Sequence, residues 1–176
     1  MKNKFLVLLL VSLSSLSLNC GYSARSLLPS SLRTVHVEAF KNNILYTEEQ
    51  KRDIYIPLLE VRVRNAIIDR FLFDGSLKTA DPALADLTLS GELKGYERNV
   101  LRSDEDQNVQ EYRIHIIISL VLKDNHKKLV RWEEPEFVGE TTYFVTGPHA
   151  KTEAAAIEDA LKDLGRRVVE RTIEDW

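Results

Sequence analysis

The chain has a single cysteine, Cys20, in 176 residues. That excludes a disulfide framework and a cysteine-based zinc cluster. Beyond residue 18 no apolar run approaches the roughly 20 residues that span a bilayer as a helix. Cationic excess is also missing. The formal net charge is −3, the wrong sign for the basic footprint of nonspecific nucleic-acid binding. The sequence holds no G-x-S-x-G elbow, no P-loop and no dinucleotide fingerprint. It shows no internal repeat and no low-complexity tract. Four histidines, His36, His115, His126 and His149, lie far apart, and none has ligand spacing with another. The acidic runs Asp104-Glu-Asp106 and Glu133-Glu134 lack the six or so oxygens at fixed spacing of a calcium loop and read as solvated loop charge. Together these absences argue against an enzyme and against a resident cofactor or metal.

The N-terminus carries the clearest local signal. Lys2 and Lys4 are its only charges, and Phe5 to Leu18 is an uncharged stretch of Leu, Val and Ser. A basic segment followed by about 7–15 apolar residues is the pattern of an export signal. In an exported protein a lone thiol needs a role. Cys20 stands where bacterial lipoprotein signals place the cysteine that is diacylated and becomes the new N-terminus. Ser17 and Asn19 occupy positions where those signals usually carry Leu and a small residue. An uncleaved N-terminal anchor, or an ordinary cysteine near a cleavage site, are the other readings. The expected organisation is a signal peptide over 1–19, a lipidated N-terminus and Ser-rich linker over 20–31, and one domain over 32–176. Loss of the signal removes Lys2 and Lys4 and no acid, which takes the net charge from −3 to −5.

Periodicity sketches the domain. Thr34 to Ala39 alternates polar and apolar, as a half-buried strand does. Thr47-Glu-Glu-Gln50 has the form of a capping box and Pro57 suits a helix's first turn. Leu59, Val63, Ala66, Ile67 and Phe71 then recur at helical spacing, closed by Asp74-Gly75. Leu87, Leu89, Gly91 and Leu93 alternate with polar residues in a second strand. Tyr112, Ile114, Ile116, Ile118, Leu120 and Leu122 do so in a third. A fourth covers Leu129 to Val145, bent near Pro135, which cannot donate to a ladder. Thr152 is the expected N-cap of a last helix with Ile157, Ala160, Leu161, Leu164, Val168 and Thr172 on one face. The order β-α-β-β-β-α predicts an α+β two-layer sandwich, a four-stranded mixed sheet with two helices on one face. The other sheet face is expected to be mixed, with Ile117 and Val121 among polar residues on the third strand and Thr88 and Tyr96 on the second. A mixed exposed face suggests a contact surface.

The chain resembles the lipopolysaccharide-assembly lipoprotein LptE family. The resemblance rests on Cys20-Gly21-Tyr22, Leu28-Pro29-Ser30-Ser31-Leu32-Arg33-Thr34-Val35, Arg70-Phe-Leu-Phe-Asp-Gly75, Ala85-Asp-Leu-Thr-Leu-Ser-Gly91, Val109-Gln-Glu-Tyr-Arg-Ile114 and Val169-Glu-Arg-Thr-Ile-Glu-Asp-Trp176, in that order. It implies an outer-membrane lipoprotein facing the periplasm, lipid-anchored, that sits in the LptD β-barrel, assists its assembly and binds lipopolysaccharide. An acidic chain would bind that anionic lipid through local cations. The meander is expected to gather Lys41, Arg98, Arg102, His149 and Lys151 at one end of the sheet, with Arg98, Arg102 and Lys151 as the phosphate contacts. The competing expectations are a stand-alone periplasmic lipoprotein scaffolding another envelope complex, and a small-ligand module using a groove between sheet and helices.

Overall fold

The computed structural model describes residues 28–46 and 55–174. The signal segment, Cys20 and the Thr47–Gln50 capping box lie outside the described residues. Six strands, β1 Thr34–Val37, β2 Lys41–Asn42, β3 Lys78–Thr79, β4 Leu87–Ser103, β5 Val109–Asp124 and β6 Leu129–Phe144, form one sheet in the order β3-β1-β4-β5-β6. β2 pairs with β4 farther along the same edge that β1 occupies. β1 is parallel to β3 and β4, while β4, β5 and β6 form a long antiparallel meander. The expectation of four strands therefore falls short by β2 and β3. Each has two residues, too few to show a period.

Two helices, α1 Leu59–Asp74 and α2 Glu153–Glu174, cover one face. α1 follows Leu58 in the left-handed conformation, φ 55°, so Pro57 lies in the preceding turn rather than in the helix. It ends as anticipated at Gly75, φ 76°, whose N–H returns to the Phe71 carbonyl at 3.0 Å. The Thr152 hydroxyl accepts the Ala155 N–H at 3.2 Å and caps α2. Leu59, Val63, Ile67 and Phe71 of α1 meet Val35, Leu89, Ile116 and Ile118 of the sheet in one buried core. α2 contributes Ala160, Leu161, Leu164 and Val168. Each fully buried side chain of this size stabilises the fold by about 1.5–3 kcal/mol.

Two glycines set how closely the layers approach. A Cβ on Gly165 would sit 2.7 Å from the Ala66 carbonyl oxygen, so this residue lets α2 touch α1 backbone to backbone. A Cβ on Gly139 would collide with Leu164 and lie 2.9 Å from the Ala160 carbonyl oxygen, so here α2 rests directly on β6.

Bulges decide which side chains face the helices. β4 and β5 slip register between Leu93 and Gly95. One extra residue inverts the alternation of everything beyond it. Tyr96, expected on the outer face, consequently turns inward and is only 3% exposed. Against β6, Ile118 pairs with Phe137 and Leu120 with Glu134, so three residues of β6, or a bulge around Pro135, span two steps of β5. The anticipated bend at Pro135 is this irregularity on an edge strand.

Candidate functional site

Two features outside the core carry chemistry: the open sheet face and the distal end of the meander. On the open face β5 shows Arg113, His115, Ile117, Ser119 and Val121, all partly exposed, beside Thr88 and Ser90 of β4. His115 stands between two carboxylates from its neighbouring strands, Glu97 at 3.6 Å and Glu140 at 3.3 Å. A shallow polar hollow of about 480 Å3 opens on this face, walled by Glu38, Lys41, Ser90, Glu92, Glu133 and Pro135. A second concavity, about 560 Å3, lies between α1 and α2, where Ala66, Phe73 and Leu161 are flanked by Arg62, Arg70 and Lys162. It is a helix–helix groove, not the sheet–helix groove a small-ligand module was expected to use.

Arg98, Arg102 and Lys151 lie toward the far end of the meander, and each has a carboxylate partner, but Arg102 follows a register shift that puts it on the face opposite Arg98. Arg98 is on the helix side. It binds Glu153 in the first turn of α2, a position where the helix dipole favours an acid. The Tyr96 hydroxyl donates to the same carboxylate at 2.7 Å. Burial, reinforced by that carboxylate, pushes the Tyr96 phenol far above its ordinary pKa. The Arg98 guanidinium also lies 5.2 Å from the centre of the Tyr112 ring, which stacks on Tyr143 at 5.7 Å. Burial opposes the Arg98 charge, but Glu153 outweighs it and raises the Arg98 pKa. Arg102 is held more loosely. Its side chain is 66% exposed, 3.8 Å from Glu111 and 5.9 Å from the Phe144 ring centre. Lys151 binds Asp159 at 2.8 Å, and its backbone N–H reaches the Phe144 carbonyl at 2.8 Å. His149 lies exposed in the adjoining turn. Lys41 does not join them. It pairs with Glu92, ten residues before Arg102, which at strand rise is about 33 Å away. β1 and β2 run beside the first part of β4 only, so the loop between them never reaches the distal end.

The remaining polar groups have structural duties. Asp104 accepts the Asn108 N–H at 2.8 Å, the Asp106 N–H at 3.0 Å and the Gln110 amide at 3.1 Å, which closes the β4–β5 turn. The Asn108 hydrogen bonds chiefly lower its pKa. Glu134 binds Arg171 at 3.0 Å. Among the described residues no three His, Cys, Asp or Glu side chains group to hold a metal, and no helix is long and apolar enough to cross a membrane.

Asp86 is a residue the sequence does not announce. It accepts the Arg33 and Thr34 N–H groups at 2.8 and 2.9 Å, the Thr34 hydroxyl at 2.9 Å and a His126 contact at 2.7 Å. Burial works to raise its pKa, yet these donors together bring it down to about 2. Asp86 thereby pins the start of β1 to the start of β4. Its partners lie 40 to 53 residues away, beyond any local pattern.

The fold is a two-layer α+β sandwich with helices on one face, a mixed polar and apolar face opposite, and paired cations toward the far end of the meander. The chain belongs to the LptE lipopolysaccharide-assembly family, whose family model matches residues 32–172. Membership supports a lipopolysaccharide-assembly role as an envelope lipoprotein. Comparison with curated proteins gives no match. Among solved structures the chain is similar to the hypothetical protein CT253 from Chlamydia trachomatis (12% identity, 82% of this chain and 97% of that one, TM-score 0.54). It is also similar to XCC0632 from Xanthomonas campestris (15% identity, 84% and 90%, TM-score 0.51). Rare lipoprotein B from Shewanella oneidensis aligns at 15% identity over 79% and 91%, with TM-score 0.42. At these identities the first two likenesses speak for the fold alone.

Proposed function

We propose that this protein is an outer-membrane lipoprotein, tethered on the periplasmic side through acylated Cys20, that partners an LptD-like β-barrel as plug and assembly factor and binds lipopolysaccharide on its way to the surface. It works by binding and shape, without catalysis or cofactor. The observation that carries this reading is the one-sided sandwich within a chain of this family. Helices seal one broad face, and the other presents apolar Ile117 and Val121 among polar side chains. A polar barrel lumen calls for such an exterior. Arg98, Arg102 and Lys151 meet the lipid phosphates, Arg102 foremost because its hold on Glu111 is loosest.

Purification of the full chain from outer membranes tests the reading. A large, heat-resistant β-barrel should accompany it, and the mature protein should carry acyl mass that Cys20→Ala abolishes. Arg102→Glu combined with Lys151→Glu should weaken lipopolysaccharide capture by the folded protein. A soluble partner in place of a barrel, or wild type without acyl chains, overturns the corresponding part. Undiminished capture by the double variant removes the cations from the site.

A further inference from the structure

The end of the sheet opposite the distal arginines is where the described chain begins. β1 starts at Thr34 beside Lys78 of β3, and Val35 pairs with Leu87 of β4. Leu87 pairs with Asp124 at the end of β5, and Asp124 with Leu129 at the start of β6. α1 closes at Gly75, three residues before β3. Arg171 of α2 reaches Glu134 of β6 at 3.0 Å, so the last turn of α2 arrives here too. Residues 28–33 lead into β1 at this end, with Leu28 packed on the core.

Two kinds of side chain gather at this proximal end. Five exposed cations, Arg33, Lys78, Lys123, Lys127 and Lys128, have no carboxylate partner among the described residues. Most acids beside them are engaged. Asp86 accepts the Thr34 N–H and meets His126, Asp124 binds Arg131 at 2.6 Å, and Asp74 accepts the Ser76 N–H at 3.1 Å. Asp81 and Glu174 remain exposed, so free cations outnumber free acids. The distal end is the reverse, with Arg98, Arg102 and Lys151 paired and Asp104-Glu-Asp106 in the turn. Among the proximal cations stand large apolar side chains outside the core. Phe73 is 80% exposed, Leu84 75%, Leu72 62% and Leu129 41%. They come from the last turn of α1, the β3–β4 loop and the start of β6. From β1 to β6 is three strand spacings, about 14 Å, so one broad surface can reach them together.

We infer that this proximal end rests on an anionic phospholipid surface, with Phe73 and Leu84 entering the headgroup layer and the five cations meeting lipid phosphates. Exposed apolar side chains interleaved with unpaired Lys and Arg suit an interfacial contact with acidic lipid. The course of the chain favours a membrane over an anionic protein. Cys20 lies eight residues before Leu28, so the proposed acyl anchor sits at most about 29 Å from the described chain's first residue. A domain tethered there presents this end to the bilayer first. No described helix is long and apolar enough to cross a membrane, and a peripheral contact asks for none. The choice of a membrane rests on the proposed anchor; the charge and exposure of the patch do not. The contact is also separate from lipopolysaccharide capture, which the proposed function assigns to the opposite end.

Co-sedimentation with vesicles is the test. The mature chain, residues 20–176 with Cys20→Ala, lacks an acyl group and so isolates the patch. It should bind vesicles of mixed phosphatidylglycerol and phosphatidylcholine at least ~10-fold more tightly than phosphatidylcholine alone, and lose that margin in high salt. Lys127→Gln with Lys128→Asn should weaken binding about 10- to 25-fold. Asn suits the second position because Lys128 has φ 53°. Phe73→Ser with Leu84→Ser should weaken binding about 10-fold and leave the fold intact, since both side chains are mostly exposed. Equal binding to the two kinds of vesicle, or no loss in either pair of variants, overturns the inference. So does loss in Arg102→Glu with Lys151→Glu instead, which would put the lipid at the distal cations. Dimers that form without lipid and vanish in Lys127→Gln with Lys128→Asn would show a second copy's acidic turn on this end and overturn it as well. Absent acyl mass on wild-type Cys20 would refute the anchor alone, because this binding is measured without it.

Discussion

The two faces of β5 share one backbone and one set of ladder hydrogen bonds, yet they differ in almost everything else. Ile114, Ile116, Ile118, Leu120 and Leu122 are wholly shielded from solvent. Arg113, His115, Ile117, Ser119 and Val121, one step out of phase, are partly exposed. The hydrogen-bonded ladder supplies the platform, and the helices determine which side of it holds the fold. The side they leave free retains two β-branched apolar residues that the monomer's core does not require. Under the proposed function such a surface serves contact rather than stability.

Truncation in phase and out of phase separates these roles most sharply. Ile118→Ala, beneath the helices, should cost about 3 kcal/mol in denaturant unfolding by leaving a cavity. Ile117→Ala should cost less than about 1 kcal/mol. Comparable losses would mean the open face also belongs to the core. Gly139→Val tests whether the helix layer is as tightly seated as it looks. A side chain there must push α2 off β6, at a cost of about 2–3 kcal/mol in thermal or chemical unfolding. A neutral result would show that the layer yields.

Asp86 offers a comparison by pH. Its carboxyl has a lower pKa folded, about 2, than the ordinary 3.8. The folded state therefore binds that proton less readily, and the stabilisation, on the order of 2 kcal/mol, is present above pH 4 and lost as pH falls toward 2. Asp86→Asn should lower stability at neutral pH by about that amount and flatten the acid limb of the unfolding profile. An unchanged limb would release Asp86 from its role as the pin between β1 and β4. The smallest stability effect should come from Ile117→Lys, within about 0.5 kcal/mol, together with reduced recovery of the barrel partner. Full recovery would argue that the open face is merely solvated.

Much of the fold could be read directly. The alternation in 87–93 and 112–122 and the helical spacing in 59–71 and 157–172 came through intact, because a core one layer thick writes its period into each element. β2 and β3 did not, since two-residue strands exist only through the partners they pair with. Tyr96 was assigned to the wrong face, since a bulge obeys no sequence period and reverses parity for every residue beyond it. The candidate site was partly legible. Arg98, Arg102 and Lys151 lie toward one end of the meander, but the register shift between Val100 and Arg102 divides Arg98 and Arg102 between the two sheet faces. The carboxylates that hold them, Glu153, Glu111 and Asp159, depend on how α2 and the strand ends meet.

From its residues alone the chain determined its long elements, their order and the single apolar side of each, because these follow from the local spacing of apolar side chains and turn residues. Tertiary structure alone decided the parity beyond Leu93, the distance of Lys41 from Arg102 and the Asp86 pin. Each of these depends on pairing and packing between segments tens of residues apart, where register and bulges, not local preference, set which groups meet.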